Sequence, residues 1–147
     1  MPAMTVLIDT NVILDVLCNR PAFVQDSAAV MRLCETGRVC GAISALSVPN
    51  IMYILRKELT PERSREIITL LTQIFSIADL KGKDLTDAFR LQADTSRPGI
   101  PDYEDALQCV AAARIKADCI VTRNTKDFRN SPVPALSPDD FLRRHTL

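Results

Sequence analysis

Four short runs of apolar residues alternate along this chain with longer segments that carry helical periodicity. The runs are "VLI" from Val6, "VCGAIS" from Val39, "FSIADL" from Phe75 and "DCIVT" from Asp118. Unbroken apolar runs of this length are typical of strands buried on both faces, and strands that alternate with helices form parallel sheets. The sequence therefore predicts an α/β protein, a three-layer α/β/α sandwich with a central, mostly parallel sheet, in a single domain of 147 residues.

Helix start and stop signals separate these runs. Thr60 and Pro61 form the clearest start, an N-cap hydroxyl followed by a proline in the first turn, and Gly37 is a natural stop. The predicted helices are Asn11 to Leu17, Phe23 to Glu35, Ala45 to Lys57, Thr60 to Phe75, Lys83 to Ala93, Tyr103 to Ala117 and a short one beginning at Ser137. Two of them are expected to bury apolar stripes: Ile67, Ile68, Leu70, Leu71 and Ile74, and Leu85, Ala88, Phe89 and Leu91.

Charge and composition exclude several classes of function. Basic and acidic residues balance at 18 each, so no overall positive field holds nucleic acid non-specifically. The single histidine, His145, lies in a charged segment where a solvated side chain is expected, which disfavours Ser/His, Cys/His and multi-histidine zinc chemistry.

The cysteines and the apolar segments predict the compartment. Five cysteines without C-x-x-C spacing sit among apolar residues, so we expect buried, reduced thiols. The sequence has no signal-type segment and no apolar run long enough to span a bilayer. We therefore expect a cytoplasmic protein that does not associate with membranes.

Polar side chains follow the carboxyl ends of the predicted strands, the edge where sites form in parallel sheets. They are Asp9 after the first strand, Asn50 after the second, Thr122, Arg123, Asn124 and Asp127 after the last, and Asp102, Glu104 and Asp105 in the loop "IPDYEDA". Carboxylates brought together repel one another unless a cation lies between them. Oxygen ligands without His or Cys suit Mg²⁺ or Mn²⁺, and such a site suits phosphodiester hydrolysis.

Several of these residues, and the two that follow Asp9, also have a structural interpretation. Thr10 and Asn11 are better explained as capping the helix that follows Asp9. Acids such as Asp102 and Glu104 are favoured at any helix N-terminus by the helix dipole. Asp127 could cap a loop, and Arg123 could simply be solvated. The joint placement at strand ends favours a site over these separate explanations.

Four segments of the chain resemble the PIN-domain ribonucleases, many of which are VapC-like toxins of toxin-antitoxin pairs. The segments are "VLIDTNVILDVL", "ISALSVPNIMYILRK", "DYEDALQCVAAARIKADCIVTRNTKDF" and "SPDDFL". The resemblance covers nearly the whole chain and implies one PIN-like domain over residues 1–147. It further implies an acidic pocket that binds Mg²⁺ or Mn²⁺, hydrolytic cleavage of single-stranded or structured RNA, a homodimer, and an antitoxin partner that enters the pocket.

The resemblance also assigns roles to residues. The family's first acid corresponds to Asp9, the acid opening the later helix to Asp105 with Asp102 close by, and the last acidic or amide position to Asn124 or Asp127. Thr10 and Asn11 would hold the turn, and Thr122 would orient a water or ligand. Where the family commonly has glutamate this chain has Asn50, a neutral oxygen donor that makes the pocket less negative by one charge.

Three hypotheses follow. The first is a metal-dependent ribonuclease in which Asp9, Asp105 and Asp127 are the catalytic metal ligands. Its auxiliary groups are Asn50, Asp102, Glu104, Asn124, Thr10, Asn11 and Thr122, with Arg123 as a phosphate contact. The alternative is a catalytically weak or inactive PIN-fold protein that binds RNA or protein. A phosphoacceptor switch domain is the third, and Asp79 and Lys126 match its requirements poorly.

Overall fold

The computed structural model of the chain describes residues 3–92, 96 and 98–145. Within those ranges the strands are Thr5–Ile8 (β1), Cys40–Ser44 (β2), Ser76–Ala78 (β3), Cys119–Val121 (β4) and Ala135–Leu136 (β5). The helices are Thr10–Leu17 (α1), Val24–Glu35 (α2), Ser47–Ile54 (α3), Pro61–Ile74 (α4), Gly82–Leu91 (α5), Tyr103–Arg114 (α6) and Pro138–His145 (α7). A turn of 3₁₀ helix covers Thr125–Phe128.

The five strands form one parallel sheet in the order β3-β2-β1-β4-β5. The chain builds outward from β1 in one direction through β2 and β3, and then returns to the other side of β1 for β4 and β5. The order therefore reverses between β1 and β4, and in sheets of this kind the crevice beyond the carboxyl ends at that point is where ligands bind. Asp9 follows β1 directly at this crevice.

Helices cover both faces of the sheet, which confirms the predicted α/β/α sandwich. Val6 and Ile8 of β1 pack with α1, α2, α3, α4 and α7 on one face, while Leu7 faces α5 and α6 on the other. The three side chains are fully buried, as the unbroken apolar run predicts. A central strand covered on both faces is a rigid support for the residue at its end.

The clearest start and stop signals are confirmed. Thr60 Oγ1 accepts a hydrogen bond from the backbone N–H of Arg63 at 3.1 Å, and Pro61 opens α4. Gly37 ends the turn after α2 with φ of +76°, a conformation that favours glycine. Helix α3 is shorter than predicted: it begins at Ser47 and ends at Ile54. Pro49 lies in its first turn, where a proline is tolerated.

The two predicted apolar stripes are only partly buried. Leu85 and Phe89 of α5 are 44% and 71% exposed, because this peripheral helix contacts α6 along the face that carries the fully buried Ala88. In α4, Ile68 and Leu70 are likewise exposed. Of the predicted stripe only Ile67 and Leu71 are buried, and Ile74 is partly buried.

Strand β5 was not predicted, since two residues carry no readable pattern. Ala93, the predicted end of the fifth helix, lies outside the described residues.

The cysteine and histidine expectations are only partly confirmed. All five cysteines are free, but Cys18 and Cys40 are exposed because they lie at the ends of elements rather than inside them. His145 is half-buried and its ring packs on Phe141, with centroids 4.6 Å apart. In the described part of the chain, no helix combines the length and hydropathy needed to cross a bilayer.

Candidate active site

Asp9 is a buried carboxylate held on both oxygens. It is 5% exposed, and it is the N-cap of α1, where Oδ1 accepts a hydrogen bond from Thr10 N at 2.8 Å. Oδ2 accepts a hydrogen bond from Thr122 Oγ1 at 2.7 Å. Burial raises the pKa of Asp9, and the hydrogen bonds from Thr122, Thr10 and Gln108 oppose that rise. The carboxylate is therefore fixed in place by β1, α1 and the end of β4.

A cavity of about 280 Å³ opens beside Asp9 at the carboxyl edge of the sheet. It lies among α1, α3 and α6, so three helices contribute to its wall. Its lining residues are Asp9, Thr10, Asn11, Leu46, Ser47, Asn50, Tyr53, Ile54, Glu104, Asp105 and Gln108. Six of the predicted site residues thus come together: Asp9, Thr10, Asn11, Asn50, Glu104 and Asp105.

Asp105 is the second carboxylate of the cavity and the more strongly perturbed by charge. Its pKa rises to about 7 because the group is half-buried and because the carboxylates of Asp9, Asp102, Asp127 and Glu104 repel its negative form. Asp102 is the N-cap of α6 and accepts a hydrogen bond from Asp105 N at 3.0 Å, so its capping interpretation is also correct. Acids from three segments of the chain therefore act on one carboxyl group.

Gln108 and Ser47 belong to the site although the sequence did not single them out. Gln108 Nε2 lies 3.4 Å from Asp9 Oδ1, 3.3 Å from Ser47 Oγ and 3.5 Å from Thr10 Oγ1. Ser47 Oγ and Thr10 Oγ1 are 2.8 Å apart. The available signal was the position of Gln108, a polar residue three places after Asp105 on the apolar, Ala-rich face of α6. Gln108 Oε1 is buried, and within the described residues it has no hydrogen-bond partner.

The segment after β4 reaches the site less directly. Asn124 N donates a hydrogen bond to Thr122 Oγ1 at 3.1 Å, and Asp127 N donates one to the carbonyl of Asn124 at 2.9 Å. Asp127 does not line the cavity but a separate depression shared with Lys126 and Arg129. Its carboxylate still raises the pKa of Asp105. The ligand role of Asp127 therefore stays a prediction.

Arg123 is committed to a buried carboxylate rather than directed into the cavity. Its Nε donates a hydrogen bond to Asp15 Oδ2 at 2.8 Å, and its guanidinium lies over the ring of Phe23, 4.0 Å from the centroid. Asp15 is fully buried. Its carboxylate also accepts hydrogen bonds from Ser27 Oγ at 3.0 Å and from Arg20 Nη1 at 3.3 Å. The solvated interpretation of Arg123 is wrong, and nothing in this arrangement supports a phosphate contact.

The donors of the cavity are those of a hard divalent cation. Asp9, Glu104 and Asp105 supply carboxylate oxygens, and the amides of Asn50 and Gln108 supply neutral ones. The lining residues include no His or Cys. The repulsion that raises the pKa of Asp105 is what a cation would relieve. In the described ranges, no three His, Cys, Asp or Glu side chains converge closely enough to hold an ion by themselves. Amide oxygens, waters or a substrate phosphate would complete the coordination.

The fold and the cavity define an α/β sandwich with an acidic site at the switch point of a parallel sheet. Residues 5–126 match the family model of the PIN domain, and the chain belongs to this family. The family membership predicted from the sequence motifs is thereby confirmed.

Several proteins of known sequence or structure are similar to this chain. A relative from Shigella flexneri, described as tRNA(fMet)-specific endonuclease VapC, is 25% identical over 135 residues, 92% of this chain and 96% of the relative. The structure of VapBC2 from Rickettsia felis, bound to a DNA fragment from the promoter, has a TM-score of 0.70 at 19% identity and covers 91% of this chain and 98% of that one. A toxin-antitoxin complex from Klebsiella pneumoniae has a TM-score of 0.68 at 21% identity. The match covers 90% of this chain and 97% of that one. At these identities the two structures establish the fold.

Proposed function

We propose that this chain is a metal-dependent endoribonuclease that hydrolyses phosphodiester bonds of RNA, and that it is the toxin of a toxin-antitoxin pair. The observation that carries the proposal is the convergence of Asp9 and Asp105 on one cavity, where burial and the nearby acids together raise the pKa of Asp105 to about 7. Such a concentration of carboxylates is costly without a cation and is typical of functional sites. Family membership and the name of the Shigella flexneri relative support RNA as the substrate.

The residues of the cavity have distinct tasks in this proposal. Asp9 and Asp105 hold Mg²⁺ or Mn²⁺, which when bound polarises a phosphoryl oxygen and lowers the pKa of a water molecule. Thr122 and Gln108 orient Asp9 through its two oxygens, so the carboxylate needs no rearrangement when substrate arrives. The acids around Asp105 add negative charge that favours the cation. Asn50 contributes to the wall as a neutral donor.

The direct test of this function is RNA cleavage by the Asp105→Asn variant. We expect its rate with Mn²⁺ to be lower than that of the parent by about 100-fold, because one charged ligand becomes neutral. Initiator tRNA and a single-stranded RNA are the substrates to compare, since the Shigella flexneri relative is named for tRNA(fMet). Asp26→Asn, which alters an exposed acid of α2 outside the cavity, is the matched control. Equal rates for parent and Asp105→Asn would contradict the proposal.

Cation binding is expected to strengthen as the pH rises through about 7. Below that pH Asp105 is protonated in the cation-free protein, and a cation must displace the proton. Calorimetric titration with Mn²⁺ should therefore give at least about tenfold tighter binding at about pH 8 than at about pH 5.5. Asp105→Asn should remove most of this dependence. Absence of Mn²⁺ binding at both pH values would favour the alternative, a PIN-fold module without catalytic activity.

The carboxyl group of Asp105 also has a predictable effect on folding stability in the absence of metal. Its folded pKa of about 7 lies above the ordinary value of 3.8. Between these values the folded chain holds a proton that the unfolded chain has released, so the free energy of unfolding falls as the pH rises across that window. Urea titrations across the window, with Asp105→Asn as the comparison, measure this slope.

Partner proteins follow from the toxin assignment. We propose that a small antitoxin inserts a segment into the acidic cavity, that the chain forms a homodimer, and that it acts in the cytoplasm. The Klebsiella pneumoniae neighbour was solved as a toxin-antitoxin complex, which supports an antitoxin partner. Sedimentation of the chain alone, and together with any small protein encoded beside it, tests both associations.

A further inference from the structure

An exposed aromatic ring lies on the rim of the acidic cavity. Tyr53, in the last turn of α3, lines the same cavity as Asp9 and Asp105, yet its side chain is 64% exposed. The next residue, Ile54, also lines the cavity and is 50% exposed. No core or cap role accounts for a largely solvated tyrosine at this place, and the mechanism above does not use it.

A positively charged side chain lies over the ring of Tyr53. The guanidinium of Arg56 lies over Tyr53, with its carbon 3.9 Å from the ring centroid, and its Nη1 donates a hydrogen bond to the Tyr53 carbonyl at 2.8 Å. Among the described residues Arg56 forms no ion pair with a carboxylate. Its charge is therefore free to meet a phosphate, while the exposed part of the ring is free to meet a base.

The charge balance of the chain favours a local contact of this kind. The chain has no net charge, and its cavity is acidic, so an RNA strand gains no attraction from the protein as a whole. Proteins that bind single strands combine a cation for the backbone with an aromatic surface for the bases, and base stacking on such a surface is tolerant of sequence. Tyr53, which lines the cavity, and Arg56, which lies over its ring, present this pair of groups at the cavity rim.

We propose that Tyr53 and Arg56 form a subsite for single-stranded RNA, in which a base stacks on the Tyr53 ring and Arg56 contacts the adjoining phosphate. This inference rests on the proposed RNA cleavage and adds to it the position of the strand. The base next to the bond to be cut is held on the α3 rim, and the phosphate is thereby presented to Asp9 and Asp105.

Binding of a single-stranded RNA of mixed sequence, roughly 12 nucleotides long, tests the subsite. The measurement is made with Mg²⁺ in the Asp9→Asn background, where the strand is expected to stay intact. Tyr53→Leu should weaken binding by about tenfold without changing its salt dependence, and Tyr53→Phe should bind within about twofold of the parent. Arg56→Gln should lower the salt slope by about one unit. Phe89→Leu is the matched control, because Phe89 is an exposed aromatic residue that does not line the cavity.

A spectroscopic signature separates stacking from general loss of structure. The sequence has no tryptophan, so Tyr53→Trp introduces a single fluorophore that can be excited where nucleobases do not absorb. Its emission should be quenched by the RNA strand and not by inorganic polyphosphate, which carries charge but no bases. The emission of Phe89→Trp should not respond to either polymer.

Two results would overturn the subsite. One is parent-like RNA binding by Tyr53→Leu together with unquenched emission from Tyr53→Trp. The other is a change in the sedimentation of the chain alone on Tyr53→Leu with RNA affinity unchanged, which would assign this face to a protein contact. Both results are independent of cleavage. If the parent cuts RNA but substitution of Tyr53 has no effect, only the subsite proposal is rejected. If the parent does not cut RNA but the emission of Tyr53→Trp is quenched, only the proposed hydrolysis is rejected.

Discussion

Substitution of Asp9 by asparagine is expected to lower the rate of RNA cleavage by at least about 100-fold while the chain stays folded. The side chain keeps its shape, so Thr10 N can still donate to an oxygen at this position. What is lost is a negative charge that lies at the switch point of the sheet and is only 5% exposed. Water screens a buried charge less than an exposed one. Removal of the Asp9 charge should therefore weaken cation binding more than removal of an exposed acid.

Folding and activity must be measured together for this variant. Burial raises the pKa of Asp9 in the metal-free protein, so ionising it opposes folding, and a neutral asparagine should leave thermal stability equal to that of the parent or higher. Asp26→Asn again supplies the matched control, since it removes an exposed acid outside the cavity. A stable Asp9→Asn protein that cuts RNA at the parent rate would exclude Asp9 from the reaction.

Replacement of Asp15 by alanine is expected to cost about 3 kcal/mol of folding free energy. Asp15 is fully buried and joins four segments of the chain through Ser27, Arg20 and Arg123. Removing it leaves two arginines, whose side chains are 34% and 22% exposed, without their shared carboxylate. Urea denaturation measures the effect as a lower midpoint with an unchanged slope.

The control for Asp15 is an exposed ion pair of the same type. Asp87 and Arg90 on α5 are 3.2 Å apart at the surface, and Asp87→Ala should change stability by less than about 1 kcal/mol. The double variant Asp15→Leu with Arg123→Met should recover part of the loss, because an apolar pair of similar size avoids a buried unpaired charge. If Asp15→Ala and Asp87→Ala were equally mild, the buried network would not be a major source of stability.

The carboxyl-edge site was predictable because it depends on local patterns. The run Val6 to Ile8 identifies a buried strand, and the residue after such a strand must lie at the sheet edge. The same reasoning placed Asp105 at the start of α6, where a proline-containing loop precedes an Ala-rich helix. Sequence patterns along one element are enough to predict which end of it reaches the site.

Gln108 and Asp15 could not be placed in the same way, because their roles depend on contacts between elements. Gln108 meets Asp9 across 99 positions of sequence, and Asp15 meets Arg123 across 108. The only local signal was a polar residue inside an apolar helix face in each case. Phe89 shows the reverse limit: the periodicity of α5 predicted a buried stripe, but a helix at the edge of the fold buries only the part of its apolar face that meets α6.

The position of β1 at the centre of the sheet governs when the site can exist during protein synthesis. Asp9 is made well before its partner: the hydroxyl that holds its Oδ2 belongs to Thr122, 113 residues later. Strand β4, which pairs with β1, is also absent until that point. A nascent chain that has left the ribosome as far as α5 therefore has neither Asp105 nor Thr122. The cavity beside Asp9 therefore becomes complete only after α6 and β4 have been made, so the proposed activity would arise late in synthesis.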